Sequence, residues 1–179
     1  MYWWNRVVEF DRKPLDSQLL CGFVLEFTDR LTLIHYMDTQ RFDLDGYVVF
    51  RNSDVRRWRS VPEDSVRIRA LQLKSIKPVR KRRLSLASWP QLLDTANKLF
   101  PMMIIYRERI HRDACQVGRL VSMNRASLEL KEIRPDGSWD DCYRYKFSDL
   151  TRVDFGGGYE DAFARVAAAG AASKPKRTG

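Results

Sequence analysis

Short runs of β-branched and aromatic residues, broken by Asp, Asn, Pro and Gly, dominate this chain, and few apolar positions keep helical spacing. Residues 3–10 read as a strand and residues 11–17, with Pro14, as a loop. Residues 19–28, 30–37, 47–51 and 55–59 read as four more strands. Gly22, inside the first of these, marks a strong bend or a close backbone approach. Ser60-Val61-Pro62-Glu63 has the form of a capping box and predicts a helix over 62–73. Val66 and Ile68, alternating with Arg67 and Arg69, would also suit a strand. Ser88-Trp89-Pro90-Gln91 repeats the capping logic, and Leu92, Leu93, Ala96, Leu99 and Phe100 follow helical spacing up to Pro101. Strands then return at 102–107, 115–123, 126–133, 143–147 and 150–155. Pro135-Asp136-Gly137-Ser138 is a hairpin signal joining 126–133 to 139–147. The three glycines 156–158 break the chain before a helix over 159–168, and the tail 169–179 has little to bury and is expected to be disordered.

The stretch 22–58 returns, altered, at 118–153. With Gly22 set on Gly118, Val24 falls on Leu120 and Phe27 on Met123, and after a one-residue shift Leu31 and Leu33 fall on Leu128 and Leu130. Asp45-Gly46-Tyr47 then matches Asp141-Cys142-Tyr143, and Ser53-Asp54-Val55 matches Ser148-Asp149-Leu150. An offset of this size reads as a duplicated domain rather than a short repeat. The expected organisation is a first small barrel at 1–77, a basic linker at 78–87, a second barrel with an N-terminal helix at 88–168, and the tail. Each half is a mainly β module of about five bent strands with one flanking helix, a set that closes most easily into a small five-stranded barrel.

Charge changes this picture through its location. The net charge of +9 suggests nucleic acid, yet residues 1–77 hold 13 basic against 11 acidic side chains and residues 101–168 hold 11 against 11. The excess lies in the connector and the tail, which weakens the case for the barrels themselves as phosphate binders. Arg80, Lys81, Arg82 and Arg83 form the densest basic run, with Arg56, Arg57, Arg59, Arg67 and Arg69 upstream. On one face they would attract phosphates, with Trp58 to stack a base. Otherwise the run is a solvated linker. Tyr2, Trp3 and Trp4 suit an anchor between the modules.

Catalysis finds no support. His35 and His111 are isolated, and Cys21, Cys115 and Cys142 give no ligand spacing, so neither a metal site nor a triad is expected, and no cofactor. The cysteines suit buried free thiols in a reducing compartment. Asp43/Asp45 and Asp140/Asp141 flank turns, where Asp bonds its own backbone. The glycines 156–158 lack the lysine and strand context of a phosphate cradle. No apolar run approaches the ~18 residues of a membrane helix, and early charges disfavour a signal peptide, so the expectation is a cytoplasmic protein.

These residues resemble the Sm-like fold. Gly22, Val24, Phe27, Asp29, Leu31 and Leu33 look like that family's first motif, with Thr32 where asparagine is usual. Phe50-Arg51-Asn52-Ser53-Asp54-Val55 looks like its second, with Asn52 in place of glycine. The second copy departs further: Asn124 stands one place early, and Lys146-Phe147 replaces Arg-Gly. The layout is similar to bacterial proteins with two such modules, a family without a settled function. The resemblance implies that Thr32 and Arg51 could line an RNA-base pocket. Two expectations follow: a non-enzymatic binding protein with a protein partner, or an RNA- or DNA-binding protein using Arg51, the basic linker, the tail and adjacent arginines.

Overall fold

In the computed structural model, which describes residues 6–81 and 83–172, ten strands form one antiparallel sheet. The first five are β1 (Val7–Asp11), β2 (Leu20–Phe27), β3 (Leu31–Asp38), β4 (Asp43–Arg51) and β5 (Arg57–Ser60). Helices α1 (Val66–Leu73) and α2 (Trp89–Asn97) precede β6 (Met103–Tyr106), β7 (Cys115–Met123), β8 (Ser127–Ile133), β9 (Trp139–Lys146) and β10 (Arg152–Phe155), and α3 (Gly158–Ala172) follows. Across the sheet the order is β5-β1-β2-β3-β4-β10-β6-β7-β8-β9. Each set of five therefore has the same internal order, and the sets join where β4 pairs with β10, Val49 opposite Val153.

Local devices recur at matching places in the two sets. The β2–β3 ladder shifts register between Val24 and Glu26, and the β7–β8 ladder between Leu120 and Ser122. Such bulges bend and twist a strand. A Cβ on Gly22 would overlap the His35 carbonyl oxygen, and one on Gly118 the Lys131 carbonyl oxygen, so each glycine allows a backbone approach no other residue permits. Short 3-10 turns follow β4 (Asn52–Asp54) and β9 (Phe147–Asp149).

Several expectations are corrected. The sheet is not a closed barrel: its ladder runs on from β4 into β10, so each set satisfies one open edge with the other instead of with its own strands. The ladders pair Val24 with Ile34 and Leu120 with Leu130, so Ile34, not Leu33, corresponds to Leu130. Likewise His35 faces Tyr47 while Lys131 faces Cys142, which places Tyr47 on Cys142 rather than Tyr143. Both faces of β3 are apolar, so matching apolar residues cannot distinguish registers one residue apart. Helix α1 starts later than the Ser60 box predicts, with Ser65 accepting from the Ile68 amide. The α3 helix runs through residues 169–172, expected as tail, while residues 173–179, Arg82, and Tyr2, Trp3 and Trp4 lie outside the described residues. Cys21 is buried, its thiol pushed up to about 11 by desolvation, whereas Cys115 and Cys142 are exposed.

The core is shared. Leu25, Leu31, Leu33, Tyr47 and Val49 of the first set pack with Leu92, Leu93 and Ala96 of α2 and with Met103, Leu120, Leu130, Val153 and Phe155 of the second. Alternate residues Ile34, Val48 and Phe50 face the other way, into a smaller core with Val8, Phe10, Leu20 and Val24. The expected linker is held against this body. Tyr47 donates to the Val79 carbonyl at 2.8 Å, the Val79 amide donates to His35 Nδ1 at 3.2 Å, and Leu84 and Leu86 are buried. Burial, with Lys81 nearby, holds His35 down to about 4, so it is the neutral ring that accepts this bond.

Charged groups fasten the joint. Arg12, fully buried after β1, donates both terminal nitrogens to Glu108 after β6. Arg152 pairs with Asp154 at 2.5 and 2.7 Å and reaches Asp16 at 3.4 Å. Asp45 accepts from the Gly158 amide at 2.7 Å, placing a carboxylate at the start of α3, where the helix dipole favours it.

Two outcomes are expected. Glu108→Ala leaves the buried Arg12 guanidinium with only Asp16, at 4.0 Å, and should cost about 3 kcal/mol in urea unfolding, whereas replacing Arg12 and Glu108 together by Met and Leu should cost far less. Glu160, buried in the first turn of α3, is pushed up to about 7 by desolvation, with Asp154 and Asp45 adding to the effect. Its folded-state value lies above the unfolded one, so the folded state binds the proton more tightly and stability falls as pH rises from about 4.5 through 7. Glu160→Gln should therefore stabilise the protein at pH 8, on the order of 1–3 kcal/mol, and do little at pH 4.5, as read by unfolding at both pH values.

Candidate binding groove

The smaller core of the first set is open at one end, where Thr32 and Asn52 stand in place of large apolar side chains. Val8, Phe10, Val24, Phe27, Thr32, Asn52, Val55 and Trp58 line a groove of about 390 Å³ there. Phe27 is 54% and Trp58 48% exposed, unusual for side chains of this size. The polar part of the lining is ordered: the Thr32 hydroxyl donates to Asn52 Oδ1 at 2.7 Å, and Asn52 Nδ2 donates to the Thr28 carbonyl at 2.7 Å. None of the eight residues is a carboxylate, imidazole, thiol or amine, and the one hydroxyl, that of Thr32, gives its hydrogen to Asn52.

The second set closes the equivalent space. The ladders place Val8 and Phe10 on Met103 and Ile105, Val24 on Leu120, Phe27 on Met123, Thr32 on Leu128 and Trp58 on Val153. The matched 3-10 turns place Asn52 on Phe147 and Val55 on Leu150. Seven of these eight counterparts are buried members of the large core and Met123 packs against it.

The basic residues expected to bind nucleic acid do not form one unpaired cluster. Arg51 is half-buried at the joint, its Nε donating to the Leu150 carbonyl at 2.5 Å and its Nη2 to the Phe147 carbonyl at 2.7 Å. Its guanidinium lies 5.7 Å from the Trp89 ring centroid, so it fastens the two sets. Arg59 and Arg67 both pair with Glu9. Burial pushes that carboxyl up, but these two arginines outweigh it and hold it below its usual value. Arg57 reaches Asp11 at 3.4 Å and Arg80 meets Glu26 at 2.5 Å. Arg56, Arg69, Lys81 and Arg83 are exposed and form no ion pair among the described residues. Cys21, which faces Glu9 across the ladder, stands five residues before Glu26, so the two arginine anchors lie roughly 16 Å apart along the strand direction.

Other chemical candidates resolve into structure. Asp38 and Asp45 both hold Arg41, and Asp140 holds Arg134 at 2.7 Å. No group of three metal-ligating side chains occurs among the described residues. Among the described residues, no helix is long and apolar enough to cross a membrane.

Of the lining residues, the sequence points to Trp58 as a candidate stacking group and, through the Sm-like resemblance, to Thr32; Phe27, Asn52 and Val55 carry no local signal of a binding surface. The usable signal was the contrast between copies, Thr32 and Asn52 standing where the second has Leu128 and Phe147, visible once the register is right. Comparison with family models, with curated proteins and with solved structures returned no match.

Asn52→Ala should destabilise the first set by about 1–2 kcal/mol, because the Thr28 carbonyl and the Thr32 hydroxyl lose their partner. Urea unfolding monitored by circular dichroism measures it.

Proposed function

We propose that this chain is a non-enzymatic interaction protein built from two tandem Sm-like units, the second serving as scaffold and the first binding a macromolecule in the groove between Phe27 and Trp58. The observation that carries this reading is the asymmetry between the sets. Eight matched positions, seven of them buried core and the eighth packed against it in one set, are in the other an accessible groove with two large exposed apolar side chains. Exposed apolar surface of this kind costs solubility, and its retention beside an ordered polar pair is what a binding site requires. Phe27→Glu should abolish groove-dependent recovery of a partner from native lysate while leaving the circular dichroism spectrum unchanged. Recovery of no partner that depends on Phe27 would count against the reading.

A second reading is RNA or DNA binding, favoured by the exposure of Arg56, Arg69, Lys81 and Arg83 without ion-pair partners among the described residues. Counterion release then predicts a steep fall of affinity for a labelled single strand as salt rises. Alanine at residues 80–83 should flatten that slope, and an unchanged slope would remove the linker from the site.

A further inference from the structure

Resting on the binding role of the groove, we infer that its occupant is an amphipathic helix of a partner protein with an acidic outer face, seated on the first set as α2 is seated on the second. The second set shows what covers this kind of surface. Ser88 caps α2, whose Trp89, Leu92, Leu93 and Ala96 recur at helical spacing and are all at most 5% exposed. They pack into the same core as Leu120, Leu128, Phe147, Leu150 and Val153, counterparts of five groove residues. Arg51, bonded to the carbonyls of Phe147 and Leu150, lies over Trp89 and so places the start of α2 beside that 3-10 turn. Among the described residues, no helix of this chain performs that service for the turn Asn52–Asp54 and the strands beside it.

Groove chemistry refines the partner. The floor is made of side chains from β1, β2 and β3, whose backbone groups are already paired in ladders, so the mode that fits is a helix laid into a groove. Asn52 spends one amide hydrogen on Thr28 and one acceptor position on Thr32, so its second amide hydrogen remains for a ligand. The apolar stripe of the helix is therefore interrupted by one polar residue where α2 presents only apolar ones. At the mouth, the turns carry Arg30 and Arg56, both exposed and without ion pairs among the described residues, against Asp29, while Asp54 is turned inward to Arg109. That balance selects acidic residues on the outer face of the helix.

The test is to pan a phage-displayed library of helix-constrained peptides against the full chain, and to measure the winners by fluorescence anisotropy. Enrichment of apolar residues at i, i+3, i+4 and i+7, with one polar interruption and flanking Asp or Glu, is expected. Phe27→Glu should weaken these peptides at least about tenfold, and Arg30→Glu with Arg56→Glu several-fold, with the circular dichroism spectrum unchanged. The inference is overturned by enrichment of alternating sequences that would extend β5 as a strand, or by helices indifferent to Phe27→Glu. It is also overturned by helices that bind only after residues 1–5 are removed, which would give the groove to the chain's own N-terminal residues, or by a labelled single-stranded RNA whose binding Phe27→Glu abolishes while no helix binds. If panning fails while a lysate protein is still captured in a Phe27-dependent way, the helix is wrong and the binding role stands; if both fail, the binding role falls with it.

Discussion

The ladder between β4 and β10 is the interaction on which the rest of the molecule depends. Each five-strand set has two edges, and an unpaired edge is both a loss of hydrogen bonds and an invitation to aggregate. Here four residues of β10 pair with Tyr47, Val48, Val49 and Phe50, so one edge of each set is satisfied by the other. The two edges left at the ends of the sheet are β5 and β9, and their character differs from that of β4. Where β4 offers Val48, Val49 and Phe50, β9 has Tyr143, Arg144 and Tyr145, with Asp140 and Asp141 near its start. Charge on an outer strand is the common protection against further pairing.

Once the ladder forms, the placement of the buried charges follows. Arg12 and Glu108 emerge from the ends of β1 and β6 and meet across the joint, and Arg51 reaches from β4 to the carbonyls that close the second set's 3-10 turn. None of these groups would tolerate being buried alone, because an unpaired charge in such a place costs several kcal/mol. The charges therefore make the two sets conditional on each other, and the common core around α2 does the same through apolar contact. A long basic connector that looks free in the sequence is consequently tied down at Tyr47, His35 and Glu26.

The two sets share one strand order but treat the same space differently. The second set fills its interior with Leu128, Phe147, Leu150 and Val153 and is covered by α2. The first keeps Thr32, Asn52, Val55 and Trp58 at the same places and stays open. Two halves with one strand order thus differ in whether this space is filled, and the open space lies over strands already paired in ladders.

The strands, their bent glycines and the correspondence between 22–58 and 118–153 could be read along the chain, because period-two patterning, turn residues and a repeated spacing are local properties. The α2 helix was equally legible, since its cap and its apolar stripe lie within a dozen residues. Register within the repeat was not, because both faces of β3 are apolar and a slip of one residue looks equally good on paper. Nor could the sequence say which arginines were spoken for: Arg51, Arg59, Arg67 and Arg80 look the same as Arg56 and Arg69 until a carboxylate or carbonyl from a distant strand arrives beside them. Joining β4 to β10, rather than each set closing on itself, was likewise a choice between edges with similar local patterns. Local spacing determined the elements; only the folded chain, which brings residues nearly a hundred positions apart into contact, decided which surfaces are joint, which are core and which remain open.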